Sequence, residues 1–334
     1  MTTTLTTATR PTTTPAPSGR RALLARSAAA AAGLVALAWP ALAGPYPVTV
    51  GSTTLVFAVL AVSTHLLVGP AGLPAFGQAA YFGVGAYTTA LLACAGHTLA
   101  VEQLAAAAVA AAIAGALTAP IVLRTRGTAF LMATLAVQSL AATAATQWRT
   151  LTGGDEGIST PAVVPWPGSA DVAAPALVYW YVLAVTVLVG VVVAVLLRSR
   201  LMLIVRGIGG HEPRMTALGH RVTVRLALAY TAAAAVAGVG GALLVAVNRY
   251  VSPSDMNFDV ASLALLAATI GARSTLGAAL GAMLIVVVRD AAGISSGGLT
   301  PLLLGVLFVA VAYRRPALAA VTRLRGRFTR GGRS

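Results

Sequence analysis

Apolar stretches about as long as a bilayer is thick recur along the chain, separated by short polar breaks. They lie at approximately 27–43, 50–69, 75–95, 100–123, 127–147, 176–198, 225–247, 258–272, 275–291 and 299–313. A helix rises about 1.5 Å per residue, so roughly 20 apolar residues cross the ~30 Å hydrocarbon core. Runs such as Tyr181–Leu197 show no alternation, which excludes the strands of an outer-membrane barrel. The pattern predicts an all-α, polytopic integral membrane bundle of about ten segments. Segments 258–272 and 275–291 are short, with Gly271-Ala272-Arg273 between them, and fit a tight hairpin that does not fully span. The first segment also fits a signal peptide: Arg20, Arg21 and Arg26 precede it, and Ala41-Leu42-Ala43 resembles a cleavage site. We take it as a span; the orientation of everything downstream is the same either way.

Composition agrees with the pattern. Of 334 residues 58% are apolar and only 9% charged, against roughly 25% charged in soluble domains. Mean hydropathy is +0.86. A water-soluble globule is excluded. Arginine distribution then fixes orientation, because cytoplasmic loops are enriched in basic residues. With the N-terminus inside, 20 of the 23 arginines fall on the cytoplasmic side, leaving Arg149, Arg249 and Arg289 outside. Glu212 is the one acid of eight placed inside; the inverse orientation would leave three arginines in the cytoplasm. Both termini are therefore expected in the cytoplasm. Residues 1–26 read as a disordered tail, 27–315 as the membrane domain, and 316–334 as a basic tail. The net charge of +15 reflects this topology rather than nucleic-acid binding.

All the basic residues are arginine, so there is no P-loop or Schiff-base lysine. One cysteine, Cys94, excludes an internal disulfide and a cysteine-rich metal site. In Gly69–Tyr87, Gln78, Tyr81, Gly85 and Thr88 follow at helical spacing. That face reads either as a small-residue packing seam or as a pathway lining. Thr134 and Gln138, four apart, form a second polar patch, suited to an interhelical hydrogen bond or to substrate contact. His65 reads as a packing residue. Asp259 and Asp290 are placed near helix ends, which leaves no carboxylate at mid-membrane and argues against a proton-coupled carrier. The outward loop LTGGDEGISTP, 151–161, lacks the basic neighbours of a phosphate cradle and reads as a turn-rich cap. In the cytoplasmic loop 198–225, Gly209-Gly210 is expected to break the chain. Pro213 then suits a first helical turn and Gly219 the position past its end. A short helix over Pro213–Leu218 results, either a partner contact or a basic loop drawn to anionic lipid. His211 and His220 lack companions at metal-ligand spacing.

Five stretches in register resemble the permeases of bacterial branched-chain amino-acid ABC transporters. GLPAFGQAAYFGVGAYTTALL is similar to the family's GxxSxGxAAFxGxGAY, TRGTAFLMATLA to its LRGxYFAxxTLA, and LTGGDEGIS to its TGGxxG loop. The loop ending Ala217-Leu218-Gly219 resembles its ATPase-contacting segment, and VSPSDMNFDVASLALLAATIGARSTLGAALGA its VSPxxFxF region. The likeness runs from about Leu66 to Arg315. Departures are Ala75 for the expected serine, His211-Glu212-Pro213-Arg214 before the contact helix, and Gly271-Ala272-Arg273-Ser274 for Gly-Gly-x-Gly.

The resemblance implies an inner-membrane importer subunit that is not itself an enzyme. Expected partners are a homologous second permease subunit, ABC ATPase subunits and an extracytoplasmic substrate-binding protein, with membrane lipid around it. No cofactor is expected on this chain; ATP and Mg would sit on the ATPase subunits. Glu212, Pro213, Arg214, Ala217, Leu218 and Gly219 are the expected coupling residues, and Gln78, Tyr81, Gly85, Thr88, Thr134 and Gln138 the expected pathway. Urea, short-chain amide or sugar permeases of the same superfamily are alternative readings, as is an ATPase-independent carrier or channel.

Overall fold

A computed structural model describes residues 39–40, 44–164, 174–271 and 275–295, with side chains as far as Asp290. The chain divides into Met1–Gly44 and a larger unit, Pro45–Ser334, to which every helix below belongs. The expected segment 27–43 (apart from residues 39–40), the segment 299–313, both tails, and Arg273 lie outside the described residues.

The helices are α1 (Pro45–Ala71), α2 (Gln78–Cys94), α3 (Ala100–Val122), α4 (Thr128–Gln147), a short α5 (Arg149–Thr152), α6 (Pro175–Arg198), α7 (Arg200–Gly210), α8 (Glu212–Ala217), α9 (Val222–Asn248), α10 (Phe258–Ile270) and α11 (Thr275–Ser295). Five of them (α1, α3, α4, α6 and α9) are each long and apolar enough to cross a membrane. The apolar periods expected within the described region all appear as helices, which makes the chain a multi-pass helical membrane protein.

Burial separates the helices into two classes. In α1 and α9 72% of the membrane window is buried, against 28% in α3 and 22% in α4 and α6. The outer helices turn a single stripe inward. On α3 it is Ala100, Gln103, Ala107, Ala111, Gly115, Ala119 and Val122; on α6 it is Val178, Val182, Val185, Val189 and Val193. Their opposite faces, with Val101, Val109, Ile113, Leu117 and Leu188, stay exposed, as lipid-facing surfaces should.

Central α9 brings backbones into contact through small residues. A Cβ on Gly85 would lie 2.2 Å from the Gly238 carbonyl oxygen, and one on Gly241 would lie 1.9 Å from that of Phe82. Only glycine allows this approach. Lipid offers no hydrophobic gain for helix association, so close van der Waals packing has to supply it.

The loops at one end of the bundle are stapled by a two-stranded ribbon that the sequence did not announce. β1 (Ile158–Ser159) pairs antiparallel with β2 (Tyr250–Val251), and the Tyr250 hydroxyl donates to Glu156 O at 2.8 Å. Gly157, at φ 68°, passes so near β2 that a Cβ would lie 2.2 Å from Val251 O.

At the other end the sequence reading needs a correction. Gly209-Gly210 does not break the chain. α7 continues through both, and Gly209 instead lets α7 lie on the end of α1, where a Cβ would be 2.7 Å from Pro70 O. The break comes at His211 (φ −156°, ψ 86°). α8 follows over Glu212–Ala217, and Gly219 closes it at φ 81°, with its N–H donating to Thr216 O and that of His220 to Met215 O.

Candidate functional site

The inward stripe of α4 differs from those of α3 and α6. It reads Phe130, Thr134, Gln138, Ala145, with two polar residues where its neighbours carry alanine or valine. Both meet non-helical backbone. The Thr134 hydroxyl accepts from Phe76 N–H at 3.2 Å and donates to Leu131 O at 2.8 Å. Gln138 Nε2 donates to Met256 O at 2.5 Å.

These contacts set the depth of two chain breaks. Gln138 is ten residues from one end of α4 and nine from the other, about 15 Å into a ~30 Å helix. Met256 ends a 3₁₀ turn, Pro253–Met256, that therefore dips from the ribbon to the middle of the bundle. Its side chain lies over Gly83, where a Cβ would be 3.0 Å from the Met256 Cβ. From the other side, the chain turns back after α1 through a Leu73 N–H to Leu67 O bond and runs without regular structure to Gly77. The Phe76 and Phe258 rings then meet at 5.4 Å between centroids.

α2 and α10 thus both begin inside the bundle. Neither N-terminus has a side-chain cap, at Gly77 or at Asn257. The first N–H groups of a helix lack carbonyl partners and carry the positive end of its dipole. Non-helical backbone at membrane depth is tolerated only inside protein or along a water-filled cavity. Broken helices of this kind are how transporters present partial charge to a solute.

Buried polar atoms near these breaks lack partners. Gln78, the first residue of α2, is 1% exposed, and neither Oε1 nor Nε2 has a hydrogen bond; Gln138 Oε1 is likewise unpaired. Other expected residues are engaged. The Tyr81 hydroxyl bonds Tyr230 at 2.8 Å and Thr118 at 2.5 Å, tying α2 to α9 and α3. Gly85 sits in the α9 crossing, and Thr88 donates back to Val84 O at 2.7 Å.

The chain matches the family model for the branched-chain amino acid transport system / permease component over residues 46–312. It belongs to this family. It is 27% identical over 286 residues to the high-affinity branched-chain amino acid transport system permease protein LivM of Salmonella typhimurium, and equally so to LivM of Escherichia coli K12. Each alignment covers 77% of this chain and 66% of the relative, so the chain spans a little under two thirds of the length of these curated relatives. No solved structure gives a significant match.

The permease's other polar concentration is at the opposite end from the ribbon. Arg126, in the turn between α3 and α4, grips Glu212 with two hydrogen bonds, Nε to Oε2 and Nη2 to Oε1, both 2.9 Å. It also donates to Leu123 O and Thr125 O, which fixes the end of α3 against α8. The guanidinium hydrogen bond pulls the Glu212 carboxyl below its ordinary value and raises Arg126 in turn. α8 buries none of its residues, and Leu218 beyond it is 66% exposed.

Sequence reasoning did not find Phe76, Met256, Phe258, Thr118, Tyr230 or the Arg126 partner of Glu212. Pro74 with Gly72 and Gly77, interrupting an apolar run, was the available signal for the first break. The sequence also put Asp259 at an outer helix end. The structure puts it at a helix end, but one three residues from Met256, which is bonded to the middle of α4.

Proposed function

We propose that the chain is a transmembrane permease subunit of an ATP-binding-cassette importer that moves branched-chain or related hydrophobic amino acids handed over by an extracytoplasmic binding protein. The meeting of two uncapped helix starts at mid-depth, beside a fully buried and unpaired Gln78, carries the reading. Neutral amides and dipole ends can hold a zwitterion briefly, whereas fixed charge on every side would retain it. On this reading Gln78, Thr134 and Gln138 face the route. Tyr81, Gly85 and Thr88 hold the α2 wall that frames it.

Coupling would enter through α8. Its unburied surface, with Pro213, Arg214, Ala217 and Leu218, is what an ATPase subunit would press, and Gly219 shapes its exit. Glu212 passes the push through Arg126 to the end of α3 and the start of α4, six residues before Thr134 on that same helix. ATP and Mg belong to the ATPase subunits, and a homologous permease subunit completes the pore. Ten segments with both ends cytoplasmic in the bacterial inner membrane fit the arginine distribution.

The test is mild-detergent purification from the native host with mass spectrometry of partners, followed by L-leucine uptake in vesicles holding the recovered complex. Co-purifying ATPase and ATP-dependent uptake are expected. A chain that travels without an ATPase and moves solute unaided would refute the reading.

A further inference from the structure

Asp259 lies three residues past Met256, whose carbonyl is fixed by Gln138 at the middle of α4. It is exposed, as are Asn257 and Phe258 beside it. Among the described residues its carboxylate has no ion pair and no hydrogen-bond donor. At 100° per residue, Phe258, Asp259, Ser262 and Thr269 fall within about 100° of one another on α10. Thr269 is also exposed and Ser262 partly so, while Ala261, Ala264, Ala267 and Ala268 on the other faces are buried.

An exposed carboxylate at this depth is expensive against lipid, and intramembrane acids face cavities or partners. Asp259 is in the first turn of α10, at the positive end of the helix dipole. A second observation points the same way. Gln138 is 2% exposed, and its amide is held at the start of α10 by Nε2, yet Oε1 accepts nothing. A carboxylate and an unpaired carbonyl oxygen flanking one turn are both acceptors, and a group rich in N–H donors is what they lack. The positive end of the α2 dipole, without a side-chain cap at Gly77, suits the opposite charge, a carboxylate. The two helix starts are joined through the Phe76–Phe258 ring contact.

We propose that Asp259 receives the ammonium group of the transported amino acid, on a water-filled route along the exposed face of α10. The inference rests on the importer reading above and names the residue that would recognise the charged amine.

Two measurements on the assembled complex test it. In a Cys94→Ser background, Asp259→Cys should react with a membrane-impermeant, positively charged methanethiosulfonate, and saturating L-leucine with binding protein should slow the reaction several-fold. Asp259→Asn should lower L-leucine uptake at least tenfold at unchanged ATPase co-purification, with Asp259→Glu recovering most of it. A position 259 that never labels, or an Asn variant with full uptake, overturns the proposal. If the wild-type complex moves no amino acid at all, the solute reading fails. Labelling at 259 in that same complex would still support the water route, and silence there would overturn it.

Discussion

Replacing Gln78 with leucine should stabilise the protein and abolish its transport. Both amide atoms of Gln78 are buried without a partner. A buried polar group left unpaired costs about 1–3 kcal/mol, and an apolar side chain of similar shape removes that cost. With two such atoms, a gain of about 2 kcal/mol is a conservative expectation. At roughly 2–4 °C per kcal/mol for a large domain, the apparent Tm should rise by about 4–8 °C. Thr134→Val supplies the contrast: it leaves the part-buried Phe76 N–H without its acceptor, which costs about 1 kcal/mol, and its Tm should fall. The assay is thermal unfolding in one fixed detergent beside ATP-driven uptake per folded complex. A Gln78→Leu variant that melts early yet transports normally would refute the reasoning, because Gln78 would then be a packing residue with a partner of its own.

Glu212→Gln should barely move Tm, because a pair about one-third exposed contributes roughly 1 kcal/mol or less. It should nevertheless weaken ATPase co-purification, and the double swap Arg126→Glu with Glu212→Arg should restore it. Since pairing lowers the Glu212 pKa, its contribution is complete above the ordinary carboxylate value and is lost only as pH falls below it. ATPase retention should therefore be flat from pH 8 down to the ordinary carboxylate range and fall only below it. Gly219→Val forces a left-handed backbone on a branched residue, at roughly 1–2 kcal/mol. Nothing surrounds that position, so insertion should survive while ATPase co-purification falls several-fold; unchanged coupling would remove Gly219 from the mechanism. With Cys94 replaced, single cysteines at Ser159 and Ser334 should label from outside and inside intact cells respectively. Outside labelling of position 334 would reverse the topology.

The sequence alone determined that this is a helical membrane protein, where its described helices lie, and which loops share a side. Those properties follow from local quantities: apolar length against bilayer thickness, and the placement of arginine. The helix ends at Cys94, Gln147 and Arg198, and the positive φ of Gly219, were legible for the same reason. Depth was not. Phe258 and Asp259 open a helix in the sequence whether that helix starts at the surface or mid-membrane. Only the bond from Gln138 to Met256 O, 118 residues apart, decides between them. Gly209 could equally have broken a helix or admitted a neighbour, and the end of α1 lying against it settled which. Glu212 was legible as the lone acid of the loops expected in the cytoplasm, but not that Arg126, 86 residues away, would hold it. Pairings of this kind depend on where distant segments meet, and a one-dimensional hydropathy pattern carries no term for that.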